Sequence, residues 1–269
     1  MNLYFLLEDS RSFYKVLPHW LKFALPDFVE IFSFDDFDSI TESNKFMLQS
    51  GFGYPQIKKV LKETLETIQV NFIPLDYFLV LWDTGSRSKE AIQSDIDEFE
   101  KIFAGYKINC QPKLFVMDRC FETWLLGNRA AYPKDCESDN FYQYAQFYNV
   151  STSDPEKMNA PESITNISMY HLKYLQEMLH SSPLHVNYSK KSPLAVSTEE
   201  YYKELKIRVE TTKDLRSLDN FFDFLKIFLF KNNICSIIIY LYLHYSQQFL
   251  TLYIYLISNY RYKKCKLYH

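Results

Sequence analysis

Three carboxylates stand where apolar, strand-length runs stop, and a fourth follows close behind. Asn2–Leu7 is followed by Glu8, Tyr77–Trp82 by Asp83 and Lys113–Met117 by Asp118, with Glu122 four residues further on. A desolvated charge needs a partner, so acids placed directly after buried runs call for a reason. In an open α/β sheet, ligands and chemistry collect outside the carboxyl ends of the strands. Carboxylates delivered there would form an acidic pocket suited to a hard, oxygen-seeking divalent cation. Each acid also has a structural reading. Asp83 could cap a helix that starts after Thr84-Gly85-Ser86, and Glu8 could sit at a helix N-terminus, each worth ~1 kcal/mol. If a helix begins at Asp118, that residue and Glu122 face the same way, one turn apart.

Cations accompany these acids. Arg87, Lys89, Arg119 and Arg129 fall near the same edge. Arginines there suit phosphate recognition, or equally ion pairs with the local acids. Lys190 and Lys191 are candidates for a phosphate backbone or for a solvated loop. The net charge of −3 argues neither for nor against nucleic acid. Five scattered cysteines form no C-x-x-C pair and read as free thiols in a reducing, cytoplasmic setting. The six histidines make no metal motif, and His171, His180 and His185 have no nucleophile beside them in sequence. Gly51-x-Gly53 is a turn rather than a phosphate loop, and no G-x-S-x-G supports acyl transfer. Trp20, Trp82 and Trp124 read as core.

The elements that must position these residues follow from periodicity. Leu3–Leu7 has buried-strand length, and the early Glu8 and Asp9 argue against a signal peptide. Phe13, Val16, Leu17, Trp20, Leu21 and Ala24 make a helical face over Ser10–Leu25, capped by Ser10 or Ser12 and stopped by Pro26. Val29–Phe34 and Phe46–Gln49 read as strands, the second closed by the turn Ser50–Pro55. Helices are expected over Gln56–Ile68, Ser88–Phe103 and Arg119–Leu126, with strands at Tyr77–Trp82 and Lys113–Met117. Alternating strands and amphipathic helices predict an α/β fold with a mainly parallel sheet flanked by helices across residues 1–130. Residues 131–165 read as a loop-rich insertion. Residues 166–231 read as a helical region completing or capping the core, with helices over Ser168–Leu179, Thr198–Val209 and Asp214–Leu229.

Residues 232–269 form an apolar, Tyr/Ile/Leu-rich tail. Asn232–Tyr260 contains no Asp, Glu, Lys or Arg, while Arg261, Lys263, Lys264 and Lys266 follow. Three readings stay open: membrane contact through residues 234–258, a buried helix or hairpin, or a tail without a settled fold. The polar cluster His244–Gln248 would lie near a membrane's centre at some cost.

Several segments also resemble a known family. Leu3–Leu7 with Glu8-Asp9-Ser10-Arg11-Ser12 resembles the first strand and turn of TOPRIM-type domains, which in the RloB-like and OLD-like bacterial defence nucleases reads apolar strand, then E-G-x-x-T-E. Phe78–Gly85 resembles the later strand that ends in D-x-D. Cys120-Phe121-Glu122-Thr123-Trp124-Leu125-Leu126 looks like the C-F-E-x-W-L-L helix start of RloB-like proteins, and Tyr188-Ser189-Lys190-Lys191 is similar to their Y-x-K segment. The resemblance implies a TOPRIM-like nuclease with Mg²⁺ or Mn²⁺, nucleic acid as substrate and a protein partner in a defence system. Carried over, it implies Glu8, Asp83 and Glu122 as catalytic, with Glu8 and Asp83 among the metal ligands; Asp118 could stand in by geometry as a further ligand, and the residues themselves offer Arg87, Arg119, Lys190 and Lys191 as nucleic-acid contacts. The sequence departs from the pattern at Asp9, where Gly is expected, and at Phe13 and Gly85, where acids are expected. Those departures make a catalytically reduced binding or sensor module the alternative. A different phosphate-processing enzyme using the same edge is a further one.

Overall fold

The computed structural model describes residues 1–38, 44–134, 138–183 and 185–228. The apolar tail of residues 232–269 lies outside them. Residues Met1–Asp223 form one compact unit and Phe224–His269 a second, of which residues 224–228 are described and helical. Among the described residues, no helix is long and apolar enough to cross a membrane.

The first unit is built on a five-stranded, all-parallel sheet: β1 (Asn2–Leu7), β2 (Phe28–Ile31), β3 (Asn44–Ser50), β4 (Tyr77–Asp83) and β5 (Gln111–Met117), in the order β2-β3-β1-β4-β5. The expected parallel α/β architecture is therefore present. Parallel strands need helical crossovers that cover both faces, which is why β1 and β4 are apolar without alternation. Tyr4, Leu6, Phe78, Val80 and Trp82 pack with Ile57, Val60, Leu61, Leu65 and Ile68 of α2 (Gln56–Asn71) and Phe99 and Ile102 of α3 (Lys89–Ala104). Leu3, Phe5, Leu7, Leu79 and Leu81 point the other way by the two-residue period and are equally buried. Their side of the sheet carries α1 (Ser12–Ala24), which packs its own apolar face on α4 (Phe121–Leu125) through Phe13–Phe121 and Trp20–Phe121 ring contacts.

The chain leaves β1 toward β2 and leaves β3 toward β4. Right-handed crossovers then place α1 and α2 on opposite faces and open a crevice at the carboxyl ends of β1 and β4. Glu8 and Asp83 stand at that switch point.

Several boundaries differ from the sequence reading, each for a local reason. The second strand stops at Ile31, because Ser33 opens a single 3-10 turn at Phe34–Phe37 through a reciprocal capping box with Asp36. α1 is capped by neither Ser10 nor Ser12: the Asp9 carboxylate accepts the N–H groups of Arg11 at 2.8 Å and Phe13 at 2.5 Å. The region read as loop contains α5 (Asp139–Phe147), capped by Ser138. α6 (Ile167–Ser181), α7 (Glu199–Thr212) and a helix over residues 216–228 follow as expected.

Candidate acidic site at the sheet edge

Glu8 and Asp83 are brought together. The Glu8 N–H donates to the Leu81 carbonyl at 2.9 Å, and the Asp83 N–H donates to Glu8 Oε2 at 3.1 Å. Burial raises the Glu8 pKa above the ordinary carboxylate range, and the charge of Asp83 raises it further. The N–H groups of Asp83 and Tyr54 and the Arg87 guanidinium oppose this only in part. Asp83 is raised for the same first reason, with Glu122 and Asp9 adding to it and Lys190 and Arg87 opposing. Neither acid is a helix cap. Ser88 caps α3 by accepting the Ala91 N–H at 3.3 Å, and Asp9 serves α1.

Glu122 completes the buried acidic floor. Its side chain is fully enclosed. Tyr188 donates its hydroxyl to Glu122 Oε1 at 3.0 Å, and Ser12 Oγ lies 3.4 Å from the same oxygen. Glu122 Oε2 has no hydrogen-bond partner among the described residues and faces the Lys190 ammonium at 3.4 Å. Burial works against the charge on Lys190, but Glu122 together with Cys120, Asp9 and Asp83 holds its pKa above the ordinary value.

Asp118 goes elsewhere. Arg119 adopts φ +73° and α4 starts only at Phe121, so the turn between Asp118 and Glu122 is not helical. Asp118 is half exposed, 3.8 Å from Arg119 Nε, and its pKa is raised by burial and by the charge of Asp154, with Arg119 opposing. Among the described residues, no three His, Cys, Asp or Glu side chains form a group that could hold a metal ion.

The cations differ in their freedom. Arg87 is spent on structure: Nη1 donates to the Asp83 carbonyl at 2.8 Å, Nε lies 3.7 Å from Asp95, and the guanidinium sits 4.0 Å above the Tyr54 ring. Lys58, buried between Asp95 and Glu98 at 2.6 Å each, anchors that cluster. Arg119 donates from Nη2 to Asn159 at 3.2 Å, while its Nε makes no hydrogen bond. Lys191 is exposed, and its carbonyl accepts from Lys15.

Both positions where the resemblance leads one to expect an acid are accounted for locally. Phe13 stacks on Phe121 at 4.6 Å and meets Trp124 edge-on at 5.6 Å, so it is core. Gly85 takes φ +57°, which favours glycine, and its N–H donates to the Arg119 carbonyl at 2.7 Å. A Cβ there would lie 3.8 Å from Asp83 Oδ1 and 3.9 Å from Ser168 Oγ. Ser168 Oγ is buried and has no hydrogen-bond partner among the described residues. No sequence pattern pointed to Ser168, because its place depends on α6 docking over the loop after β4, where the Ile167 N–H reaches Ser86 Oγ at 2.9 Å.

Comparisons of the chain with protein-family models, with curated proteins and with solved structures return no match.

Proposed function

We propose that the chain is a divalent-metal-dependent phosphodiester hydrolase, a nuclease, working at the Glu8–Asp83 edge. The observation that carries this reading is the acid pair itself: two adjacent carboxylates held out of water at the switch point of a parallel sheet, short of positive charge. Such a pair fits a hard cation. Mg²⁺ or Mn²⁺ bound by Glu8 and Asp83 would activate water and offset charge on the leaving oxygen. Glu8 has two alternative roles there: ligand to the cation, or general base to the attacking water. Lys190 is suited to a phosphate oxygen, since its ammonium is a third exposed and already oriented by Glu122. The TOPRIM-like, RloB-like resemblance points to the same chemistry, and a role in bacterial defence rests on it alone.

Phe13 and Gly85 favour a second reading. With no carboxylate at either position, ligand charge is lower than the family pattern supplies, and the site would bind nucleic acid without cutting it. Plasmid DNA and a long RNA incubated with Mn²⁺ or Mg²⁺ separate the two. Nicking by the wild type that is lost in Glu8→Gln and Asp83→Asn is the expected result. Equal activity in all three proteins excludes this site, and binding without cleavage selects the second reading.

A further inference from the structure

Phe52 has three properties together. Its side chain is 69% exposed, its backbone sits at φ +60°, and it lies in the loop after β3 beside the acid pair. The placement is fixed by the flanking residues: Gly51 donates its N–H to the Leu7 carbonyl at 2.6 Å and Gly53 to the Glu8 carbonyl at 2.8 Å. The Tyr54 N–H, two residues on, reaches the Glu8 carboxylate itself. Folding gains nothing from a large apolar ring left in water, and an L-residue in the left-handed region is strained. Strain of this kind is kept where the surrounding structure enforces it, often for function. Here the Phe52 N–H is held by Ser50 Oγ at 3.0 Å, and Gly51 is locked because a Cβ there would come within 2.6 Å of Ile57. Phe72 is also exposed and left-handed, but it terminates α2 before β4 begins, at the opposite end of the sheet. Phe32, 81% exposed, follows β2 on the next strand, but Ile31 pairs with Met47, so Phe32 stands about four residues short of Phe52 and away from the acid pair.

Resting on the nuclease reading above, we infer that Phe52 is a base-stacking platform that holds an unpaired nucleotide beside the Glu8–Asp83 pair. A single strand offers free base faces and a duplex does not, so the substrate class is a single-stranded or locally opened nucleic acid.

The test is fluorescence anisotropy with labelled single-stranded DNA and RNA 12-mers and a matched duplex, on the full chain, in Ca²⁺ to hold back cleavage. Phe52→Ala is expected to weaken single-strand binding roughly 5- to 100-fold. It should leave duplex binding nearly unchanged, and Phe52→Trp should retain affinity. Phe52→Gly separates this role from a structural one: relief of the left-handed strain should raise the melting temperature while affinity falls. Unchanged single-strand binding in Phe52→Ala with intact nicking overturns the platform and leaves the hydrolase standing. A wild type that neither binds nor nicks overturns both.

Discussion

Glu122 and Lys190 show how a residue pair at this edge is held by electrostatics rather than by packing. Glu122 has no exposure, accepts one full hydrogen bond from Tyr188, and leaves Oε2 to the ammonium at 3.4 Å. Removing one partner of a buried pair leaves the other charge uncompensated, which costs about 3–5 kcal/mol when both are fully enclosed. Lys190 is a third exposed, so water recovers part of that. Lys190→Met should therefore destabilise the protein by roughly 2 kcal/mol, read as a lower urea midpoint at unchanged slope. Adding Glu122→Gln should recover much of the loss, because the neutral amide no longer needs the cation. A double variant as unstable as the sum of the single variants would mean that the two groups do not interact.

At the scale of elements, α4 is only five residues long and cannot hold itself together by backbone bonds alone. A polar chain fixes it. The Cys120 N–H donates to Thr123 Oγ1 at 3.2 Å, that hydroxyl meets His171 Nδ1 of α6 at 2.8 Å, and His171 Nε2 lies 3.1 Å from the Met158 carbonyl. A carbonyl can only accept, so the proton is on Nε2, and Nδ1 accepts from Thr123. Thr123→Val keeps the shape but strands the Cys120 N–H and His171 Nδ1, at an expected loss of about 2–3 kcal/mol in chemical denaturation. Thr123→Ser should lose clearly less. This junction also shows what the sequence could reveal. The strands of β1 and β4 were legible because both faces are covered and every residue is apolar. α2 and α3 were legible because their apolar stripes repeat every three and four residues. The pairing of Glu8 with Asp83 was legible because a parallel sheet sends its strand ends to one edge. The polar chain through Thr123 and His171 was not, since it joins residues 48 positions apart by hydrogen bonds with no periodic trace. The divergence of Asp118 from Glu122 was hidden for another reason: it depends on a left-handed Arg119, a conformation seldom expected of a non-glycine residue. α5 was missed because its contacts are made by tyrosines and phenylalanines, such as Tyr144 on Tyr170 and Tyr174, in a segment otherwise polar.

For the whole molecule, folding buries acids and a histidine whose effects on stability run in opposite directions with pH. Burial pushes His171 down to about 4, so the unfolded chain takes up its proton first on acidification. Its contribution is complete above about pH 6.5 and is lost as the pH falls toward 4. Burial pushes Glu156 up to about 7, with Asp154 and Asp118 adding to it, although Ser217 donates both its N–H, at 3.0 Å, and its hydroxyl, at 2.5 Å, to Glu156 Oε1. Here the folded state holds the proton more tightly than the unfolded one, so stability falls as the pH rises from about 4.5 to 7. Glu8 and Asp83 add to that second slope. Glu156→Gln isolates it, because the amide oxygen can still accept both Ser217 donors and, through Ser217 Oγ, keep the Trp124 indole N–H bonded at 2.7 Å. The expected difference between variant and wild type in urea unfolding is near zero at about pH 4. It should grow in favour of the variant to roughly 3 kcal/mol by about pH 8. A difference that is flat with pH would mean that Glu156 titrates alike in the folded and unfolded chains, and that the Ser217 bonds fully offset its burial.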